Sequence, residues 1–194
     1  SLIVSDGYTK DEQVYEVYSN HMPTIISNTP RMALVGELFK YQIRVEDLNE
    51  GANLNYSLIK GPHGMQLDKS GKILWVPKAA QINYNDFEVS VTDGYGTDIQ
   101  SGKIFINNPP SIISTPKPVG LTGHTWRYKL TTEDLNGDRV TYRAVRLPKF
   151  AKFDRRLATI EWTPRKNQDG VNDFVLMAVD EHGATTTHDF QVHV

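Results

Sequence analysis

The chain contains no cysteine. That excludes a disulfide framework, thiolate chemistry and a zinc–thiolate site. Small extracellular modules of eukaryotes often depend on disulfides, whereas bacterial surface modules commonly do without them, so the absence points to a bacterial exported protein. The single N-x-S/T match, Asn55-Tyr56-Ser57, is too common a pattern to reverse this. An excess of one charge is missing as well: 21 basic against 23 acidic side chains give a net charge of −2. No nucleic-acid footprint can therefore cover the whole chain. Helical periodicity never persists beyond two turns. There is no G-x-S-x-G elbow and no phosphate-cradling glycine loop. Metal spacing is also absent among His21, His63, His124, His182, His188 and His193. The usual signatures of catalysis are lacking, and the sequence reads as non-enzymatic.

What is present is repetition. Asp6, Asp93 and Asp180 stand 87 residues apart, within IVSDGY, SVTDGYG and MAVDEHG. The same offset carries Pro23-Thr24-Ile25-Ile26-Ser27 onto Pro110-Ser111-Ile112-Ile113-Ser114. It also carries Glu46-Asp47-Leu48-Asn49 onto Glu133-Asp134-Leu135-Asn136, and Trp75 onto Trp162. A period of this size is one small domain, so the chain is an array of modules. Two complete copies are expected at 21–107 and 108–194, with residues 1–20 as the C-terminal strand pair of a preceding, truncated repeat. The whole reads as a fragment of a longer array, without a membrane span of its own. Charge is unevenly divided, at −3 for residues 1–20, −1 for the first copy and +2 for the second.

Each copy is built from short strands. Phe39, Tyr41, Ile43 and Val45 alternate with Lys40, Gln42 and Arg44, the period of a half-buried strand. Trp126, Tyr128 and Leu130 repeat the pattern. Further strands are predicted at 54–60, 72–77, 86–92 and 100–107, and at 140–146, 158–164, 173–179 and 187–194. Gly61-Pro62, Gly71, Gly94 to Gly96, Asn136-Gly137-Asp138 and Gly183 mark turns between them. About seven strands per module predict an all-β fold of tandem Greek-key sandwiches. The last strand is ambiguous, because apolar positions in the two copies do not coincide. Ile160 and Trp162 share one face while Thr159, Glu161 and Thr163 share the other, so both tryptophans are expected in the core.

The order of these motifs resembles the cadherin-like domain of the dystroglycan type and the bacterial putative-Ig repeat. In each copy an acidic D-x-N loop is followed by a G-P-x-G-M or L-P turn, then W-x-P and an aspartate turn, V-T-D-G in the first copy and V-D-E-H-G in the second. The resemblance implies calcium at inter-module poles, held by Asp47, Asn49 and Asp93 in the first copy and by Asp134, Asn136 and Asp180 in the second. Asp138 extends the second set, since Asp134, Asn136 and Asp138 recur at every second residue. Converging carboxylate and amide oxygens suit calcium, a hard cation with six to eight oxygen ligands. The linkers SNHMP and NNPP, however, carry amides where calcium-dependent cadherins carry carboxylates, which weakens any such site. Capping of turns by the same Asp and Asn side chains is the favoured account.

A run of cations, Arg143, Arg146, Lys149, Lys152, Arg155 and Arg156, faces one acid, Asp154. It could meet a polyanion such as an acidic polysaccharide, although a solvated face is the plainer reading. Functionally the sequence predicts an adhesive or structural spacer on a bacterial exterior or in the periplasm. Its partners would be other repeats of the same chain, a protein or a surface polysaccharide. The alternative is an accessory spacer of a large secreted enzyme, or a carbohydrate-binding module using exposed aromatics such as Tyr95 or Phe150.

Overall fold

A computed structural model describes residues 1–194. In the first module, the strands Met32–Leu34, Thr97–Asn107, Asn83–Thr92 and Asn55–Lys60 lie side by side in one sheet. Facing it is a sheet of Phe39–Gln42, Lys72–Trp75 and Gln66–Leu67. The second module repeats this with Thr141–Arg146, Val171–Val179 and Thr185–His193 against Trp126–Lys129, Thr159–Trp162 and Lys152–Asp154. Alternation along each strand sends one set of side chains between the sheets. The core of the first module gathers Phe39, Tyr41, Ile73, Trp75, Phe87, Val89, Ile104 and Ile106. That of the second gathers Trp126, Tyr128, Ile160, Trp162, Phe174, Leu176 and Val192. Both Trp75 and Trp162 are 1% exposed, so neither is a sugar platform.

The ambiguity over the last strand has a local cause. The first module turns through Asp93-Gly94-Tyr95-Gly96 between Thr92 and Thr97, which face each other across the ladder. In the second module Val179 faces Thr185, so the turn holds five residues, from Asp180 to Ala184. One extra residue shifts the offset of the final strand from 87 to 88, and then Ile104 matches Val192. Parallel pairings agree with the shift: Met32 pairs with Phe105, and Val119 with His193. At the corrected offset Gly102 corresponds to Phe190. A Cβ on Gly102 would run into the Phe87 ring, whereas Phe190 stacks on Phe174 with 5.1 Å between centroids. Phe87 thus covers a bare Gly102 in the first core, whereas its counterpart Phe174 is joined by a second ring, Phe190, in the second.

Residues 1–20 hold a strand pair of their own. Leu2–Ser5 pairs with Lys10–Gln13 in a two-stranded hairpin, joined to no other strand and exposed throughout. Its register, Leu2 to Gln13, repeats that of Val89 to Gln100 at an offset of 87. The turn chemistry repeats too. Asp6 accepts from the amides of Tyr8 and Thr9, as Asp93 does from those of Tyr95 and Gly96. Of this segment only Ser19 and Asn20 hydrogen-bond to the first module, at its pole.

Candidate functional site at the inter-module poles

The acidic loops and the last hairpin turn of each module meet at one pole, where the preceding linker arrives. The Asp93 Oδ1 accepts backbone N–H bonds from Tyr95 at 2.8 Å and Gly96 at 2.6 Å, ordering the turn. Its Oδ2 accepts from the Asn20 side-chain amide at 2.8 Å. Asp180 divides its oxygens in the same way. Oδ1 takes His182 N at 2.9 Å and Ala184 N at 2.8 Å, and Oδ2 takes Asn107 Nδ2 at 2.7 Å. The second bond of each linker is also repeated. His21 N donates to Asn49 Oδ1 and Asn108 N to Asn136 Oδ1, both at 2.7 Å. Asn136 reaches further, donating to Asn83 Oδ1 at 3.1 Å and to the Ile106 carbonyl at 3.0 Å. Across the second joint the Phe105 and His182 rings lie 4.7 Å apart.

Turn capping explains the remaining oxygens of the D-x-N loops in part. Asp47 Oδ1 accepts from Asn49 N, and Asp134 Oδ1 from Asn136 N and Asp138 N. Backbone bonds from Gly96 and Tyr95, reinforced by Asn20, hold the Asp93 carboxyl below its ordinary pKa. Asp138 behaves oppositely. Burial raises its pKa, His182 opposes this, and Asp134, Glu181 and Asp180 add to it. Its Oδ2 lies 3.7 Å from His182 Nε2.

The seven residues predicted for calcium therefore separate into two unequal groups. Carboxylate oxygens of Asp134, Asp138 and Asp180 lie within 4.8 Å of one another. Buried oxygens without a hydrogen-bond partner remain there: Asp134 Oδ2, Asp138 Oδ2 and Asn107 Oδ1. That donor set fits a hard cation. The first pole fits one poorly: Asp93 and Asn49 are engaged as Asp180 and Asn136 are, but no third acid stands beside them as Asp138 does, and Asp47 Oδ2 is the one buried oxygen left spare. Sequence reasoning missed Asn20, Asn107 and His182 as pole residues. The only signal for the first two was the replacement of linker carboxylates by amides.

Of the exposed aromatics, Tyr95 is 88% exposed in the hairpin turn and Phe150 is 52% exposed. Phe150 has φ 69°, and the Arg165 guanidinium lies 3.7 Å from its ring centroid. No helix is long and apolar enough to cross a membrane.

No curated protein sequence matches the chain. Among solved structures it is similar to the Sidekick-1 immunoglobulin domains 1–4, with a TM-score of 0.52 and 12% identity. That match covers 93% of this chain and 50% of the other. An I-band fragment of titin has a TM-score of 0.51 and 12% identity, over 91% of this chain and 66% of that one. An endo-fucoidan hydrolase from glycoside hydrolase family 107 has a TM-score of 0.39 and 20% identity, over 89% of this chain. The present chain spans only 28% of that hydrolase. The family model described as "Putative Ig domain" matches residues 22–106 and again 109–194. With nearly every residue of both sandwiches inside those two matches, the chain belongs to the putative Ig domain family, as two consecutive copies.

Proposed function

We propose that the chain is a non-catalytic spacer segment of an exported bacterial protein, on the cell surface or in the periplasm, whose joints are held by amide–carboxylate bonds. The observation that carries this reading is the repeated bridge, Asn107 to Asp180 and Asn20 to Asp93, at 2.7 and 2.8 Å. In each, the carboxylate that shapes a hairpin turn also anchors the preceding linker. An amide is neutral and needs no cation to approach a carboxylate, so such a joint is stiff without metal. Calcium, on this reading, is confined to the second pole, where Asp134, Asp138 and Asp180 converge. There it would add to a joint that is already closed. Adhesive contact with a protein or surface polysaccharide then falls to the sides of the array.

The test is the relative orientation of the two modules, measured by residual dipolar couplings in the whole chain. Both modules of the wild type should report one alignment tensor, unchanged by chelator. Asn107→Ala should separate the tensors. A wild type whose modules tumble independently until calcium is added would overturn the reading. Calorimetric titration should detect one weak calcium site, lost in Asp134→Asn/Asp138→Asn, and two equal sites would contradict its assignment.

A further inference from the structure

We propose that the second module carries a binding site for an anionic polysaccharide, bearing carboxylate or sulfate groups, in a groove lined by four unpaired arginines. Arg139, Arg143, Arg155 and Arg156 surround a concavity of about 730 Å³ together with Thr141 and Tyr142. The module has seven arginines. Three are occupied elsewhere: Arg127 with Glu161 at 2.8 Å, Arg146 with Asp173 at 3.8 Å, and Arg165 on the Phe150 ring. The four in the groove form no salt bridge. Asp154, beside Arg155 in sequence, engages its Oδ1 with the backbone amides of Arg156 and Leu157, capping the turn that presents Arg155 and Arg156.

Backbone geometry holds both walls in place. Thr141–Arg146 is the edge strand of its sheet, paired on one side only, with Val171–Val179. Tyr142 and Ala144 turn towards the core, so Thr141 and Arg143 face outwards. The opposite wall is the turn between Lys152–Asp154 and Thr159–Trp162. The guanidinium group is planar and two-pronged, matching carboxylate and sulfate oxygens in pairs.

The first module is a control for what the fold itself requires. The equivalent positions there are Asn53, Ser57, Lys69 and Ser70, with a single cation. An equivalent sandwich therefore forms without the cluster, and four mutually repelling charges are not a demand of packing. The run of cations read from the sequence is thus regrouped. Arg139 joins it, Arg146 leaves it for Asp173, and Lys149 and Lys152 lie outside the groove.

A glycan is preferred to a nucleic acid because the groove offers no open stacking face. Single strands are gripped by stacking bases on open aromatic faces. The one aromatic in the groove, Tyr142, is half-buried, with its hydroxyl bonded to Thr132 Oγ1 at 2.7 Å.

The test is binding of the whole chain at an ionic strength of about 0.15 M, where weak long-range attraction is screened. The probes are polygalacturonate, dextran sulfate, uncharged dextran and a single-stranded oligonucleotide. At least one of the two anionic glycans should bind, and the first two arms tell carboxylate from sulfate recognition. Arg143→Glu/Arg156→Glu should weaken that binding tenfold or more. Lys129→Glu/Lys166→Glu, matched in net charge and outside the groove, should change it less than threefold. If charge reversal unfolds the module, Arg143→Gln/Arg156→Gln asks the same question. The proposal is overturned by no binding of either anionic glycan, by equal binding of uncharged dextran, by equal loss in both variant pairs, or by tighter binding of the oligonucleotide. It does not depend on the joints, so Asn107→Ala should leave glycan binding unchanged.

Discussion

Asn107 Nδ2 donates to Asp180 Oδ2 across 2.7 Å, with Asn107 fully shielded from solvent and Asp180 only 4% exposed. The last residue of one module's final strand thereby enters the pole of the next. Because Asp180 also orders the His182–Ala184 turn, joint and turn share one carboxylate.

Truncating Asn107 to Ala removes the donor and leaves a buried carboxylate oxygen unpaired. The expected cost is about 1–3 kcal/mol, borne by the second module. Asn107→Asp should cost more, since it sets two buried carboxylates face to face. Asn20→Ala, at the exposed equivalent, should cost the first module less than Asn107→Ala costs the second. Calorimetric unfolding of the full chain resolves these shifts, and equal losses for Asn20→Ala and Asn107→Ala would show that burial contributes nothing to the bond.

Trp162 is fully packed, with its ring edge-on to Phe174 at a centroid distance of 5.4 Å. Its indole N–H finds no acceptor, and neither does that of Trp75. Trp162→Ala should cost about 3–5 kcal/mol through lost burial and the cavity left behind. Trp162→Phe sacrifices volume but also removes an unsatisfied buried donor, which itself costs about 1–3 kcal/mol. The Phe variant should therefore lose less than half of what Ala loses in denaturant unfolding. A Phe variant as unstable as Ala would mean that the indole N–H has a partner in solution.

His188 and Gln100 occupy the same place in their sandwiches once the final strand is aligned at 88 residues. Gln100 is bonded, accepting from the Tyr41 hydroxyl and donating to the Ser27 carbonyl. His188 instead packs its ring 5.8 Å from that of Tyr128 and leaves Nε2 buried without a partner. Burial lowers its pKa from the ordinary 6.5, with Asp189 opposing. The unfolded chain then binds more protons than the folded one between the lowered value and 6.5, so stability rises with pH across that window. The second module should be most stable above that ordinary value and lose stability as the medium is acidified towards the folded pKa. His188→Gln should flatten that slope, and a slope unaltered by the substitution would assign it to other groups.

Much of this was legible in the sequence because like modules must place like residues alike. The 87-residue offset located both tryptophans, the strands and the D-x-N loops, since each belongs to a periodic pattern that one face must bury. What escaped was whatever depends on a single added residue or on a neighbour distant in sequence. The turn from Asp180 to Ala184 is one residue longer than that from Asp93 to Gly96. In a ladder of period two, a strict repeat would set Gln191 in the core place of Ile104, and the added residue brings Val192 there instead. Asn20 and Asn107 showed only as missing linker carboxylates. Nothing in one dimension says that their amides bond to Asp93 and Asp180, each 73 residues further along the chain.

Gly71 and Ala158 close the same turn in the two modules, at φ 78° and 52°. A methyl group at Gly71 would sit 2.8 Å from the Tyr56 ring, so Gly71→Ala adds a clash to a left-handed backbone. It should destabilise the first module by about 1–3 kcal/mol. The reverse change at Ala158 sets opposing terms against each other. Relief of the left-handed conformation gains about 1–2 kcal/mol, while glycine's extra unfolded-state freedom costs about 0.5–1 kcal/mol. Loss of the buried methyl costs about 0.8 kcal/mol more. These nearly cancel, so Ala158→Gly should change the second module's stability by less than about 0.5 kcal/mol. Two-transition denaturant unfolding of the whole chain compares both variants directly. An Ala158→Gly loss as large as that of Gly71→Ala would show that the buried methyl, rather than the backbone, governs this turn.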